Sequence, residues 1–206
     1  MSFASRERAA LVATMREVGP DAPTMCDGWT VRDLAAHLLL RERRPDSAAG
    51  ILLPIFAGRT RKVQNRIATQ DWDVMLAKLA GGAPWWSPMS WAEALVNGME
   101  MFVHHEDVRR AREGWRPRQL TAGEQRWLSL FLPVGLFTYR RSPVRVVVVV
   151  RGGLRFIAKP FRSSTVRLQG EPSELLLHAL GRNNVELDYT GDVGDIARLD
   201  SLARTV

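Results

Sequence analysis

Glu100 and His104 stand four residues apart within "NGMEMFVHHEDVRR", residues 97–110. On a helix that spacing puts both side chains on one side, one turn apart. A carboxylate and an imidazole so placed offer an oxygen and a nitrogen to one ion, and a borderline metal such as zinc accepts both. Two ligands on one helix are seldom enough. His37, in "GWTVRDLAAHLLLRERR", is the third candidate. It lies between Leu34 and Leu38 at the apolar edge of a helix, where an imidazole needs partners for its ring nitrogens. Asp107 follows His104 by three residues on roughly the same side, and can orient a ligand from behind. His105 is offset from His104 by about 100° and reads as a bystander on the helix flank. The competing readings are a solvated Glu–His pair and a hydrogen-bonded core histidine.

Other residues have a functional and a plain reading. Cys26 precedes a helix cap by four residues; it reads as a small buried hydrophobe, against a nucleophile or a fourth ligand. Arg41, one turn after His37, and Arg182, at the end of a later helix, are candidates to bind the acid group of a substrate. A solvated helix end explains Arg41 as well, and a surface or helix-dipole role explains Arg182. His178 in "ELLLHAL" reads as structural or exposed. Trp85 and Trp86 either wall a pocket or pack under their Gly/Pro loop. Arg109, Arg110 and Arg112 read as a solvated face rather than a phosphate grip.

The elements that must position these groups are helical over the first two thirds. Residues 3–17 form a helix stopped by "GPDAP". A second opens at Thr30, with Asp33 at the third helical position of a capping box, and ends at Pro45. Residues 51–57 are ambiguous, and 59–80 form one helix or two. The ligand helix runs over 91–112, capped by Ser90 and Glu93. Thr121 and Glu124 open another over 122–138, kinked at Pro133. Then the texture changes. "VRVVVVV" and "LRFIAKP" flank Gly152 and Gly153 as a hairpin. Strands follow at 164–170 and 184–191, with helices at 171–182 and 192–203. The reading is an α+β chain with a helical-bundle metal-binding domain at 1–140 and a small α/β domain at 141–206.

Composition narrows the function classes. The net charge is +7, from 29 basic and 22 acidic residues. It is spread as +4 over 1–140 and +3 over 141–206, with no run of five like charges. That argues against a nucleic-acid partner. No apolar stretch is long enough to span a bilayer as a helix, so no membrane partner is expected. A single cysteine and an N-terminus without an apolar core suit a cytoplasmic protein.

"CDGWTVRDLAAHLLLRE" (26–42) followed by "MEMFVHHEDVRRA" resembles the mycothiol-dependent maleylpyruvate isomerase family, part of the DinB-like superfamily. Gly28, Trp29, Thr30, Asp33, Leu34 and His37 match the first motif, and Glu100, His104 and Asp107 the second. The C-terminal "VRLQGEPSELLLHALGR" and "VELDYTGD" resemble that family's smaller, sterol-carrier-like α/β domain. The resemblance implies a DinB-like four-helix bundle holding a divalent metal, usually zinc, through His37, Glu100 and His104. It also implies mycothiol as cosubstrate, and a zinc-bound thiolate attacking an electrophilic small molecule in an isomerase or transferase reaction. The alternative is a metal-containing binding protein of the same superfamily without turnover. The sequence leaves the oligomeric state open.

Overall fold

Thr30 fixes where the first ligand helix begins. Its hydroxyl accepts the Asp33 amide, and the Asp33 carboxylate accepts the Thr30 amide at 3.0 Å. The expected capping box is therefore present, and α2 runs Val31–Arg43. It stops one residue before the position preceding Pro45, where helical backbone is disfavoured. The structure, a computed structural model, describes residues 2–47, 54–87, 90 and 97–202, the side chains of Pro54 and Val134 excepted. The chain divides into two compact units, Met1–Trp115 and Arg116–Val206.

In the first unit α1 (Phe3–Val18) is capped by Ser2. A short 3-10 turn, Pro54–Phe56, leads into α3 (Ala57–Ala68). Asp71 then accepts the Val74 amide and starts α4 (Trp72–Ala80). The stretch 59–80 is thus two helices, separated by a capping aspartate. The ligand helix α5 covers Gly98–Arg109. Its expected start at 91 and the Glu93 half of its cap lie outside the described residues. Four helices share one core: Leu11 and Met15 of α1, Leu34 and Leu38 of α2, Leu76 and Leu79 of α4, and Met101 and Val108 of α5. Each such side chain fully buried contributes about 2 kcal/mol. The α3 helix lies against α2 and buries only Thr60.

Every residue of α5 from 101 to 108 is buried. Four of them in a row, His104, His105, Glu106 and Asp107, are ionisable, so each needs a partner. Glu106 has Arg110 at 2.6 Å and Arg109 at 2.9 Å. Arg110 is only 2 % exposed, with its guanidinium 4.7 Å from the Trp115 ring centroid. The expected solvated arginine face is therefore corrected at Arg110. The reason is that buried Glu106 needs a cation one turn on. Arg112 does lie outside, paired with Glu17.

The second unit opens with the expected Thr121/Glu124 capping box on α6 (Ala122–Ser129). The expected continuous helix to 138 is broken. Pro133 lacks the N–H that would bond the Ser129 carbonyl. The ladder stops there and restarts as α7 (Leu132–Leu136) and a 3-10 turn, Phe137–Arg141. Strands β1 (Arg145–Val150), β2 (Arg155–Lys159), β3 (Thr165–Gly170) and β4 (Asp188–Thr190) follow, with α8 (Pro172–Ala179) and α9 (Val193–Asp200). The sheet order is β2-β1-β3-β4. Strands β1 and β2 form the expected antiparallel hairpin, β1 and β3 are parallel, and β3 and β4 antiparallel. Strand β4 is shorter than its alternating pattern suggests, because the Glu174 carboxylate takes the Glu186 amide at 2.9 Å before pairing begins.

The change of texture near 140 marks the start of the sheet, while the compact units divide at 115/116. Helix α6 packs on α8, with Gln125 and Ser173 exchanging two hydrogen bonds. His178 is structural: it is fully buried, 2.5 Å from the Tyr139 hydroxyl and 3.1 Å from Asp200.

The Glu106–Arg110 pair yields a stability prediction. Arg110→Ala strips a cation from a carboxylate that is 1 % exposed. It is expected to cost about 3 kcal/mol, read as a lower urea midpoint at unchanged slope. A loss within about 0.5 kcal/mol, the range of ordinary surface changes, would remove this pair from the account of α5.

Candidate metal centre

The segment before α2 is folded back onto the ligand helix. The Met25 amide donates to the Asp107 carbonyl at 2.9 Å, and the Val31 amide to the Ala22 carbonyl at 2.9 Å. A turn from Cys26 to Trp29 closes with a 3.0 Å backbone bond. Gly28 within it has φ +73, a conformation that strains residues with a side chain. This turn carries the Trp29 ring to 5.1 Å from the His37 ring. It also carries Cys26 to Asp107, where the thiol donates to Oδ2 at 3.3 Å.

Helices α2 and α5 bring the expected ligands together. The His37 and His104 rings lie 5.7 Å apart, edge to face. His104 Nε2 is 3.5 Å from Glu100 Oε2. His104 Nδ1 is 2.9 Å from Asp107 Oδ2, on the side of the ring away from Glu100. Arg41 pairs with the same Glu100 oxygen. Its place is on the carboxylate rather than at a solvated helix end. Arg182, in the second unit, donates to the Leu180 carbonyl at 2.6 Å.

His105 does turn away from His104, but it is no bystander on a flank. It is 4 % exposed, with Nδ1 3.2 Å from Glu7 Oε2 and Nε2 3.0 Å from the Thr14 hydroxyl, both on α1. The doubled histidine thus has two tasks, one facing α2 and one pinning α1. Cys26 is half-buried, packs against the core and hydrogen-bonds as well, which modifies its reading as a plain small hydrophobe. Trp85 and Trp86 are exposed, at 85 % and 52 %. The tryptophan that walls the site is Trp29. The signal for it was its place in the motif beside His37.

The charges are unevenly distributed. Burial first, then the neighbouring charges of His104 and Arg41, push His37 down to about 3, so it is a neutral imidazole. Burial opposes ionisation of Glu100, yet the hydrogen bond to His104 and the charges of His104 and Arg41 outweigh it and hold the carboxyl at about 2. Burial also opposes charge on His104. Its hydrogen bonds with Asp107, Cys26 and Glu100 outweigh that and raise it well above the ordinary value. The protonated His104 and the Arg41 guanidinium together set two positive charges against the two carboxylates of Glu100 and Asp107. These donors fit a divalent metal. His37 is already in its ligating form, Glu100 is ionised, and the hydrogen bond at Nδ1 leaves Nε2 turned toward Glu100. Among the described residues, Cys26, His104 and Asp107 are the group whose donor atoms, one from each, all lie within 4.8 Å of one another.

A cleft of about 470 Å³ opens on His37, lined by Trp29, Thr60, Arg61, Gln64 and Asn65 among others. Its far wall belongs to α3, which sequence spacing had not connected to the site. No helix among the described residues is long and apolar enough to cross a membrane.

The first unit is thus a helical bundle with an imidazole–carboxylate cluster between two of its helices. Residues 3–84 match the family model described as Mycothiol maleylpyruvate isomerase N-terminal domain. The match includes His37 and ends before Glu100 and His104. Comparison with curated proteins and with solved structures gave no significant match.

His37 makes the metal-free protein acid-sensitive. Its folded pKa of about 3 lies below the ordinary 6.5. As pH falls from 6.5 toward 3, the unfolded chain binds a proton that the folded one refuses, and stability drops by up to about 1.4 kcal/mol per pH unit. His104 runs the other way: its contribution is present below 6.5 and is lost as pH rises through its raised value. His37→Gln is expected to flatten the acid-side fall of the urea midpoint in metal-free protein. An unchanged fall would assign the acid sensitivity to another group.

Proposed function

We propose that the N-terminal unit binds a divalent metal, zinc by its donor chemistry, through His37, Glu100 and His104. On this reading the protein is a mycothiol-dependent isomerase or thiol transferase acting on an electrophilic small molecule in a reducing cytoplasm. The observation that carries it is the convergence of His37 with the Glu100–His104 pair while Asp107 grips His104 from behind. The family match over residues 3–84 supports the thiol.

Three protein ligands suit a catalytic rather than a closed structural zinc. A zinc ion held there lowers the pKa of a bound thiol and keeps it as thiolate. The chain's own residues do the rest. Once His104 has released its extra proton, Asp107 would hold the remaining one on Nδ1 and leave the Nε2 lone pair for the metal. Arg41 helps keep Glu100 ionised, and with that carboxylate engaged by a metal its guanidinium would be available to an anionic group. Trp29 shields one side of His37 from water. Arg61, Gln64 and Asn65 give the cleft a polar lining suited to a sugar-bearing thiol.

One observation favours a binding protein without turnover. Arg41 already satisfies Glu100, so the cluster is stable without chemistry. Mycothiol separates the two readings. The enzyme reading expects it to raise the melting temperature of the zinc-loaded protein and leave the metal-free protein unchanged, by linkage. No shift in either form would favour the binding protein.

The ligands are tested by elemental analysis. His37→Ala is expected to lose one bound zinc per chain while the far-ultraviolet circular dichroism stays that of a helical fold. Unchanged zinc would refute the ligand set. Asp107→Asn is expected to weaken zinc binding about 10- to 100-fold.

A further inference from the structure

Cys26 is the only cysteine of the chain, and it is anchored at a buried carboxylate rather than lost in the core. Asp107 is 0 % exposed. Its Oδ2 accepts from the Cys26 thiol at 3.3 Å and lies 2.9 Å from His104 Nδ1. The Met25 amide donates to the carbonyl of the same aspartate, which holds the cysteine segment at that distance. Sulfur, imidazole nitrogen and carboxylate oxygen therefore converge on the side of His104 that faces away from Glu100.

The geometry points to a second, thiolate-containing metal site formed by Cys26, Asp107 and His104 Nδ1, for a soft or borderline divalent ion such as zinc or cadmium. It shares His104 with the centre proposed above but does not depend on His37 or Glu100. Three arguments carry it. The donor atoms all lie within 4.8 Å, with two separations of 2.9 and 3.3 Å. Donors around one tetrahedral zinc, with bonds of about 2.0–2.3 Å, stand roughly 3.3–3.7 Å apart, so displacements of a few tenths of an ångström along the two hydrogen bonds bring these donors to ligand spacing. The donor set is S, N and O, which selects zinc-like ions over magnesium or calcium. The half-buried thiol gives the ion a route in, while Asp107 is sealed.

The protons balance. Binding removes one proton from Cys26 Sγ and one from His104 Nδ1, the two hydrogens that Asp107 Oδ2 now receives. Both go to solvent as one dication enters. The site then carries thiolate and carboxylate around the ion in place of two hydrogen bonds. Nothing is oxidised.

Cadmium reads the site directly, because a thiolate bonded to it gives an ultraviolet charge-transfer absorbance. In thiol-free buffer, cadmium is expected to raise this band in the full chain and in His37→Ala, and not in Cys26→Ser. Zinc is expected to slow alkylation of Cys26 by iodoacetamide at least tenfold in the full chain and in His37→Ala. Asp107→Asn is expected to weaken both effects at least tenfold. No band at saturating cadmium in folded protein would overturn the site. So would a band that survives undiminished in Asp107→Asn and His104→Ala, since Cys26 would then be acting as a lone thiol. Failure of the proposed centre reads differently: His37→Ala keeps its full zinc whatever Cys26 does.

Discussion

Four ionisable residues in succession, His104 to Asp107, are buried on one helix. Successive residues turn by about 100°, so this run points charge in every direction. Each direction must supply a partner, because removing one partner of a buried pair costs about 3–5 kcal/mol. His104 is met by Glu100 and the His37 side of α2, and His105 by Glu7 and Thr14 of α1. Glu106 is met by Arg109 and Arg110, and Asp107 by the Cys26 turn. The arrangement of the bundle around α5 is the set of answers to that requirement. The apolar core supplies the bulk of the stability, and the polar seam sets which helix lies where.

The candidate centre inherits its electrostatics from the same seam. Two imidazoles with ring centres 5.7 Å apart take opposite states, His37 neutral and His104 charged. The difference lies in their hydrogen-bond partners. His104 faces carboxylates at both ring nitrogens, whereas His37 meets Trp29, Gln64 and the positive charge of Arg41. That asymmetry separates a position already prepared for a ligand from one that must first release a proton.

The local signals were legible in the sequence. The Thr30/Asp33 and Thr121/Glu124 boxes, the hairpin at Gly152–Gly153 and the i, i+4 pairing of Glu100 with His104 all depend on neighbours a few residues away. The partner of His105 was not legible, because Glu7 and Thr14 lie more than ninety positions upstream and no periodicity links them. Arg110 was misjudged for a related reason: a basic cluster reads as solvated unless the buried carboxylate it answers is known. The sheet boundary stood out in the β-branched run. The unit boundary did not, since α6 differs from a bundle helix only in what it packs against.

The matched segment stops at residue 84, and two of the three proposed metal donors, Glu100 and His104, come later, on α5. The family match and the proposed donors thus lie largely on different stretches of the chain. A chain could keep every residue of the matched segment and still lose the proposed centre through one change at position 100 or 104. Inheritance of the scaffold is then no guarantee of inheritance of the work. Among relatives defined by the first helices alone, the residues at the positions of Glu100, His104 and Asp107 would sort those equipped for this chemistry from those that kept only its housing.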